Sequence, residues 1–200
     1  HLTPDSFETF ECSVPITLGL YTESLVGCLQ KAKSSKLMWK INNNTTLSVI
    51  LLHEDQTTEF QIRAIDIEED QLDIPNMDDD MALQVDATVL REWTDKMMMT
   101  KAECQFQITR EKFQWSSTAT EFGTITHCEP LNGKRIESLA VRNTVDITLS
   151  SQAVKAMSMF SHCGSTCMLG FSNGQPSRLK VDLLYGSHLC LLVAPKIVDN

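Results

Sequence analysis

The sequence lacks an excess of positive charge, a long hydrophobic run and a disulfide pattern. With 17 Lys and Arg against 26 Asp and Glu, its formal net charge is −9. That balance excludes a chain coated with basic nucleic-acid-binding residues, although a localised basic face is compatible with it. No stretch has the length of a membrane-spanning helix, so we expect no membrane partner. The seven cysteines form no CxxC pair, which favours reduced intracellular thiols.

Enzyme motifs are missing as well. The chain has no GxxxxGK[ST], GxGxxG, HExxH or GxSxG, and its histidines and carboxylates are scattered, so we expect no enzyme, cofactor or metal. A metal site at His162, Cys163 and Cys167 is a weaker interpretation than Cys167 packing as a small hydrophobe on a strand. An enzyme that uses the acidic stretch with His127 or His188 and a metal remains an alternative.

The chain does contain one arrangement three times: an alternating strand, a short helix and further alternating strands. The copies run over residues 18–52, 83–117 and 147–184, at a spacing of about 65 residues. One such unit cannot bury its own apolar face, so repeats of it build rings, propellers or stacked arrays. We therefore predict an architecture assembled from repeated strand–helix–strand units.

Local patterns predict the individual elements. Alternation of apolar and polar residues predicts a strand over 7–20, and an apolar stripe predicts a helix over 22–33. Two more helices are predicted over 88–99 and 151–161. The methionine run 97–99 is expected to pack in the core rather than to form a binding groove.

The character of the sequence changes at Glu68. The segment EEDQLDIPNMDDD carries seven acidic residues in thirteen and has neither a helical nor a strand period. It predicts an extended linker, in which the acidic run 78–80 is solvated surface rather than a cation site. We predict an N-terminal domain over 1–66, a connecting linker over 67–80 and a C-terminal domain over 81–200.

Several segments carry a resemblance to a known family. They are FETFECSVPITLG (7–19), DQLDIP (70–75), Gln175–Pro176, His188 and the terminal LLVAPKI (191–197). In this order and spacing the chain resembles the PCNA-type DNA sliding clamps over essentially its whole length. The resemblance implies an α+β fold in which each protomer has two domains of two βαβββ units. It also implies that three protomers close a ring, with the sheets outside and the helices lining the hole.

The resemblance implies recognition rather than catalysis. A clamp of this family encircles double-stranded DNA without sequence specificity and tethers DNA polymerase and other replication and repair proteins through a PCNA-interacting motif. It further implies a clamp loader, a homotrimer and a nuclear location. The alternative within the same fold is a subunit of a checkpoint-type heteromeric clamp in DNA-damage signalling.

Three sets of site residues follow from the resemblance. Partner motifs with aromatic anchors would enter an apolar pocket under the linker, lined by Leu72, Ile74, Pro176, Leu192, Ala194, Pro195 and, at the rim, Lys196. Subunits would pair through two strand edges, Glu59, Phe60, Gln61, Ile62 and Arg63 on one and Phe122, Thr124, Ile125 and Thr126 on the other. The residues expected to face DNA are Lys31, Lys33, Arg91, Lys96 and Lys155.

The sequence departs from the family pattern in several places. The helix positions where the family usually has lysine or arginine hold Gly27, Gln30, Glu92, Asp95, Gln152 and Met159. The pocket position where the family usually has tyrosine holds Leu192. The position of the lysine that many clamps use for ubiquitin or SUMO attachment holds Arg110. Only one complete repeat precedes Glu68, so we expect the first domain to be incomplete over residues 1–66, with one unit missing.

Overall fold

The structure is a computed structural model that describes residues 2–32, 35–66 and 78–196. The helices are α1 (Thr22–Leu29), α2 (Ala87–Met98) and α3 (Ser151–Phe160). The strands are β1 (Lys36–Asn42), β2 (Thr46–His53), β3 (Gln56–Arg63), β4 (Met81–Asp86), β5 (Cys104–Ile108), β6 (Lys112–Ala119), β7 (Gly123–Pro130), β8 (Ile136–Val141), β9 (Val145–Leu149), β10 (Thr166–Phe171), β11 (Ser177–Asp182) and β12 (His188–Val193). The chain forms two compact units: a small unit of residues 11–75 and a large unit of residues 1–10 and 76–200.

In the large unit two repeats exchange their first strands. The two sheets have the strand orders β12-β11-β10-β4-β8 and β7-β6-β5-β9. Strand β4 leads into α2 but pairs antiparallel with β10, and β9 leads into α3 but pairs antiparallel with β5. Since each repeat completes the sheet of the other, the two repeats share one core, over which α2 and α3 pack together.

Aromatic side chains fill that core. Trp93 on α2 is fully buried and stacks on Phe113 with their ring centroids 4.6 Å apart. Phe106 and Phe171, one from each sheet, stack at 5.8 Å. Alternation along the strands places Phe106, Phe113 and Phe171 on the core side, because every second side chain of a strand faces the same side. Large rings in ordered contact make this core sensitive to any loss of volume.

The helices differ in how they begin. The Asp86 side chain accepts a hydrogen bond from the Thr88 backbone N–H at 2.8 Å and so caps α2, and it also accepts one from the Thr88 hydroxyl at 2.6 Å. These hydrogen bonds lower the pKa of Asp86. The residue before α1 is Tyr21, whose side chain makes no capping hydrogen bond. The helix of the small unit therefore begins without the stabilisation that a polar cap supplies.

The small unit consists of α1 and the antiparallel sheet β1-β2-β3. Leu47, Val49 and Leu51 on β2 pack with Cys28 of α1 in its core. Strand β1 is exposed along its whole length, and Trp39 on it is 44% exposed. One helix therefore covers only part of this sheet.

The predicted α+β fold class is confirmed, but two local predictions are wrong. The strand predicted over 7–20 is absent: apart from one bridge between Gly19 and Ile65, the described backbone there pairs with no strand. Helix α1 ends at Leu29 rather than near residue 33. Apolar and polar alternation predicts a strand only where a neighbouring strand can satisfy the backbone groups, and none of the described strands lies beside residues 7–18.

Residues 2–10 also group differently from the domain limits that the sequence suggests. They contact the large unit, where Ser187 Oγ accepts a hydrogen bond from the Thr3 backbone N–H at 2.9 Å. The hydroxyls of Ser6 and Ser187 lie 2.5 Å apart. The domain limits themselves remain a prediction. At the end of α2, Met97 is buried as expected, whereas Met99 is 56% exposed.

Candidate partner-binding face, strand edges and helix face

Part of the predicted pocket lies on one face of the five-stranded sheet. Arg178 on β11 is paired with Leu192 on β12, and side chains two positions along a chain in extended conformation share a face. Pro176 and Ala194 therefore accompany them. Each of these four residues is at least partly exposed, whereas Leu179, which points to the opposite side, is 1% exposed. The structure thus brings three predicted pocket residues together and adds Arg178 between them.

The remaining pocket residues have different positions. Pro195 is half-buried just beyond this face. The backbone N–H of Lys196 donates to the Thr148 carbonyl at 2.8 Å, so this amide is already used within the large unit. Leu72 and Ile74 lie outside the described residues.

The prediction that the acidic run 78–80 is solvated surface is wrong for Asp79. The Asp79 side chain is only 4% exposed. The partners of the three carboxylates are Arg142 for Asp78, Arg178 for Asp79 and Asn143 for Asp80. All three partners come from much later in the sequence. The only local signal was the position of the run directly before β4.

The two predicted interface strands lie at sheet edges. Within the described chain β3 pairs only with β2, and β7 pairs only with β6. Ile62 is buried and Phe60 half-buried in the core of the small unit, and Ile125 packs against the core of the large unit. The exposed residues of the predicted interface are Glu59, Gln61, Arg63, Phe122, Thr124 and Thr126. Hydrogen bonds from Ser48 and Gln61 lower the pKa of Glu59.

Two of the cations expected to face DNA have partners within the large unit. Arg91 is half-buried, and its Nη1 donates to the Ser161 carbonyl at 3.1 Å, at the end of α3. A cation there is favourable because the last carbonyls of a helix carry partial negative charge. Lys96 Nζ lies 2.6 Å from Glu92 Oε1. Each of these cations therefore already has one contact within the large unit.

The remaining cations expected to face DNA are Lys31, Lys33 and Lys155, and the structure adds Arg135, which the sequence did not predict. Lys155 on α3 and Lys31 just after α1 are exposed, and Lys33 lies outside the described residues. Arg135, which precedes β8, donates from Nη2 to Glu92 Oε2 at 2.5 Å. Hydrogen bonds from Lys96 and Arg135 lower the pKa of Glu92. The exposed side of α2 therefore carries cations whose charge is balanced locally.

A buried polar cluster connects α2 to β7. Glu129 on β7 is 8% exposed and accepts a hydrogen bond from Trp93 Nε1 at 2.9 Å. His127 Nε2 lies 2.6 Å and Arg135 Nη1 3.2 Å from the same carboxylate oxygen. The imidazole of His127 also stacks on Trp115. These contacts tie His127, on the edge strand β7, to the carboxylate that also binds Trp93 of α2.

The prediction that Cys167 packs as a small hydrophobe on a strand is confirmed, since Cys167 is fully buried on β10. Burial raises the pKa of its thiol to about 11. Cys163 is exposed. Across residues 2–32, 35–66 and 78–196, no three His, Cys, Asp or Glu side chains form a group suited to a metal ion. No helix in the same ranges is long and apolar enough to cross a membrane.

Comparison with known proteins identifies relatives over almost the whole chain. No protein-family model matches it. It is 22% identical over 204 residues to proliferating cell nuclear antigen of Saccharomyces cerevisiae, a match that covers 98% of this chain and 79% of that protein. The DNA polymerase sliding clamp of Methanobrevibacter smithii is 23% identical over 197 residues, covering 97% of this chain and 77% of its own. That of Methanothermobacter thermautotrophicus is 24% identical over 197 residues, covering 98% and 78%.

The chain is similar in sequence to PCNA-type sliding clamps.

The chain has features of its own at the candidate sites. On the sheet face Leu192 presents only carbon atoms, and the residue paired with it on β11 is Arg178, whose guanidinium forms an ion pair with Asp79. On the helix side, Glu92 lies between Lys96 and Arg135. The first feature concerns the face predicted to bind partners, and the second the helix side expected to face DNA.

Proposed function

We propose that this chain is a subunit of a ring-shaped DNA sliding clamp that tethers DNA polymerase and other replication and repair proteins to duplex DNA. The observation that carries the proposal is similarity to sliding clamps over 97–98% of the chain. The strand exchange between two repeats in the large unit supports it, because it yields a unit with a sheet edge open to a neighbour. The role is one of binding, without catalysis.

The ring would close through β3 of one subunit and β7 of the next. Each strand has an unpaired side in the described chain, and exposed strand edges readily pair with another chain. A head-to-tail contact of this kind forms a closed ring when its rotation closes. We infer a homotrimer from the resemblance to the family, with a clamp loader and a nuclear location on the same basis.

The ring is tested by the mass of the assembly in solution. Sedimentation equilibrium at micromolar concentration is expected to give three times the chain mass. Phe122→Asp is expected to reduce the assembled fraction, because Phe122 is 50% exposed beside β7 and a carboxylate would be desolvated in the contact. Leu139→Asp is the matched control: Leu139 is 49% exposed on β8, outside the predicted interface. Equal effects of the two substitutions would contradict the proposed edge.

Partner proteins would bind the face that carries Pro176, Leu192 and Ala194. An apolar surface of this kind suits a short segment with aromatic anchors. Fluorescence anisotropy with a labelled peptide containing glutamine and two phenylalanines tests this binding. A peptide in which alanine replaces both phenylalanines is the control. Equal affinity for the two peptides would contradict the proposed site.

A heteromeric, checkpoint-type clamp is the second candidate. It is favoured by the locally balanced charge on α2, where Glu92 contacts both Lys96 and Arg135. In a mixed ring, other subunits would supply the positive charge that holds DNA. A chain that sediments as a monomer alone and assembles only with different clamp chains would favour this candidate over the homotrimer.

A further inference from the structure

Four residues form a row across the outer face of the five-stranded sheet. Gly170 on β10 is paired with Ala82 on one side and with Arg178 on the other. Arg178 is in turn paired with Leu192 on β12. Residues directly opposite each other in antiparallel strands have their Cβ atoms about 5 Å apart, so these side chains are neighbours.

The side chain of Asp79, the residue two positions before β4, lies over this row at Gly170. A Cβ on Gly170 would lie 2.4–2.5 Å from the Asp79 carboxyl atoms, so the carboxylate occupies the space that the missing side chain leaves. There it forms an ion pair with the Arg178 guanidinium. The Asp79 side chain is 4% exposed, and its Oδ1 has no hydrogen-bond partner among the described residues.

The ion pair holds the guanidinium in a defined position on an exposed face. The Arg178 side chain is 38% exposed, although its partner is almost completely buried. A carboxylate fixed from one side restricts the rotamers of the long arginine side chain, which otherwise costs entropy to order. Arg178 itself is paired with Leu192 and lies two positions after Pro176, two residues predicted to bind the partner segment, while its guanidinium is held on the β10 side beside Gly170.

We propose that Arg178, positioned by Asp79, determines partner specificity at this face by stacking on an aromatic anchor of the bound segment. The inference rests on the proposed function, since it concerns the same site. A guanidinium stacks on aromatic rings with its plane and is more weakly hydrated than an ammonium, so it tolerates burial under a ring. Arg178 would thus supply the contact that the aliphatic Leu192 cannot.

The charge distribution favours an aromatic group over a carboxylate as the ligand of Arg178. Asp79 already balances its charge, and an incoming carboxylate would meet the buried Asp79 as well. The next cation on this face, Lys180, is itself 3.1 Å from Asp182. Both cations of β11 therefore already have a carboxylate partner, which disfavours an anion site on this strand.

The test measures peptide affinity by fluorescence anisotropy with the full chain. The probe is the labelled peptide with glutamine and two phenylalanines, and its matched partner has leucine in place of each phenylalanine in turn. Arg178→Met keeps the length of the side chain and Arg178→Lys keeps its charge. Both are expected to weaken phenylalanine-peptide binding about fivefold, and to change binding of one of the leucine peptides by much less. Asp79→Asn is expected to weaken binding in the same peptide-dependent way.

The control is Lys180→Met, at the next position on the same face of β11, which is expected to leave the affinity unchanged. Thermal unfolding of every variant separates loss of binding from loss of folding. Equal affinities of Arg178→Met and the wild-type chain would overturn this inference alone. So would a loss that depends on acidic residues in the peptide rather than on phenylalanine. If the wild-type chain binds none of the peptides, the proposed partner site fails, and this inference fails with it.

Discussion

The small and large units are built from the same repeat, yet they differ greatly in what they bury. Among the described residues, twenty-six buried apolar side chains form the core of the large unit, and five form that of the small unit. The cause is the strand exchange. In the large unit β5 is paired on both sides, with β6 and β9, whereas its counterpart β1 is paired only with β2 among the described strands. One repeat forms the sheet, but two are needed to close a core.

The same contrast holds for single aromatic residues on the two strands β5 and β1. Phe106 on β5 is 1% exposed, whereas Trp39 on β1 is 44% exposed. Since burial of a large aromatic side chain contributes about 2 kcal/mol or more, the small unit loses much of the stabilisation that its sequence could provide. We therefore expect the small unit to open at lower free energy than the large one, which hydrogen exchange would detect.

The largest expected effect separates two tryptophans. Trp93→Ala should destabilise the large unit by about 3–5 kcal/mol, because it leaves a cavity and removes a hydrogen bond to Glu129. Trp39→Ala should change the free energy of unfolding by less than about 1 kcal/mol. Urea unfolding followed by circular dichroism measures both, and hydrogen exchange assigns each change to a unit. Similar losses for the two variants would contradict the comparison.

Two glycines should give effects of opposite sign. Gly170→Ala places a Cβ 2.4–2.5 Å from the Asp79 carboxyl group and should destabilise the large unit by about 1–3 kcal/mol. Gly27→Ala on α1 meets no atom within 4 Å and should stabilise the small unit by about 0.5–1 kcal/mol. Thermal unfolding checks both. Adding Asp79→Ala to Gly170→Ala should recover part of the loss if the close contact is its cause.

The smallest expected effect concerns the capped and uncapped helices. The folded-state pKa of Asp86 is lowered by its hydrogen bonds to Thr88, so its contribution is fully present above the unfolded pKa of about 4. That contribution should be lost as the pH falls through the folded-state value. Asp86→Asn keeps a capping oxygen but does not titrate, so its stability should vary less between pH 6 and pH 3 than that of the wild-type chain. An identical pH dependence in both would contradict the capping role.

The sequence predicted the repeat, the three helices and most strands, because periodicity reports which face of an element is apolar. It did not predict how residues 7–18 behave, since alternation alone does not supply a neighbouring strand. It also missed Asp79 and Arg178, whose proximity depends on the register of β4, β10 and β11. The prediction of Pro176, Leu192 and Ala194 as pocket residues rests only on the resemblance to the clamp family and stays a prediction.

Encirclement of DNA is the central claim, and the order of two steps tests it directly. The protein is mixed with a linear duplex biotinylated at both ends, and streptavidin is added either before or after it. A ring threads over open ends and is then trapped, and a topological link does not depend on phosphate contacts. We predict salt-resistant retention only when the ends are blocked after the protein is added. Retention that is independent of this order, or that is lost in high salt, would contradict the account.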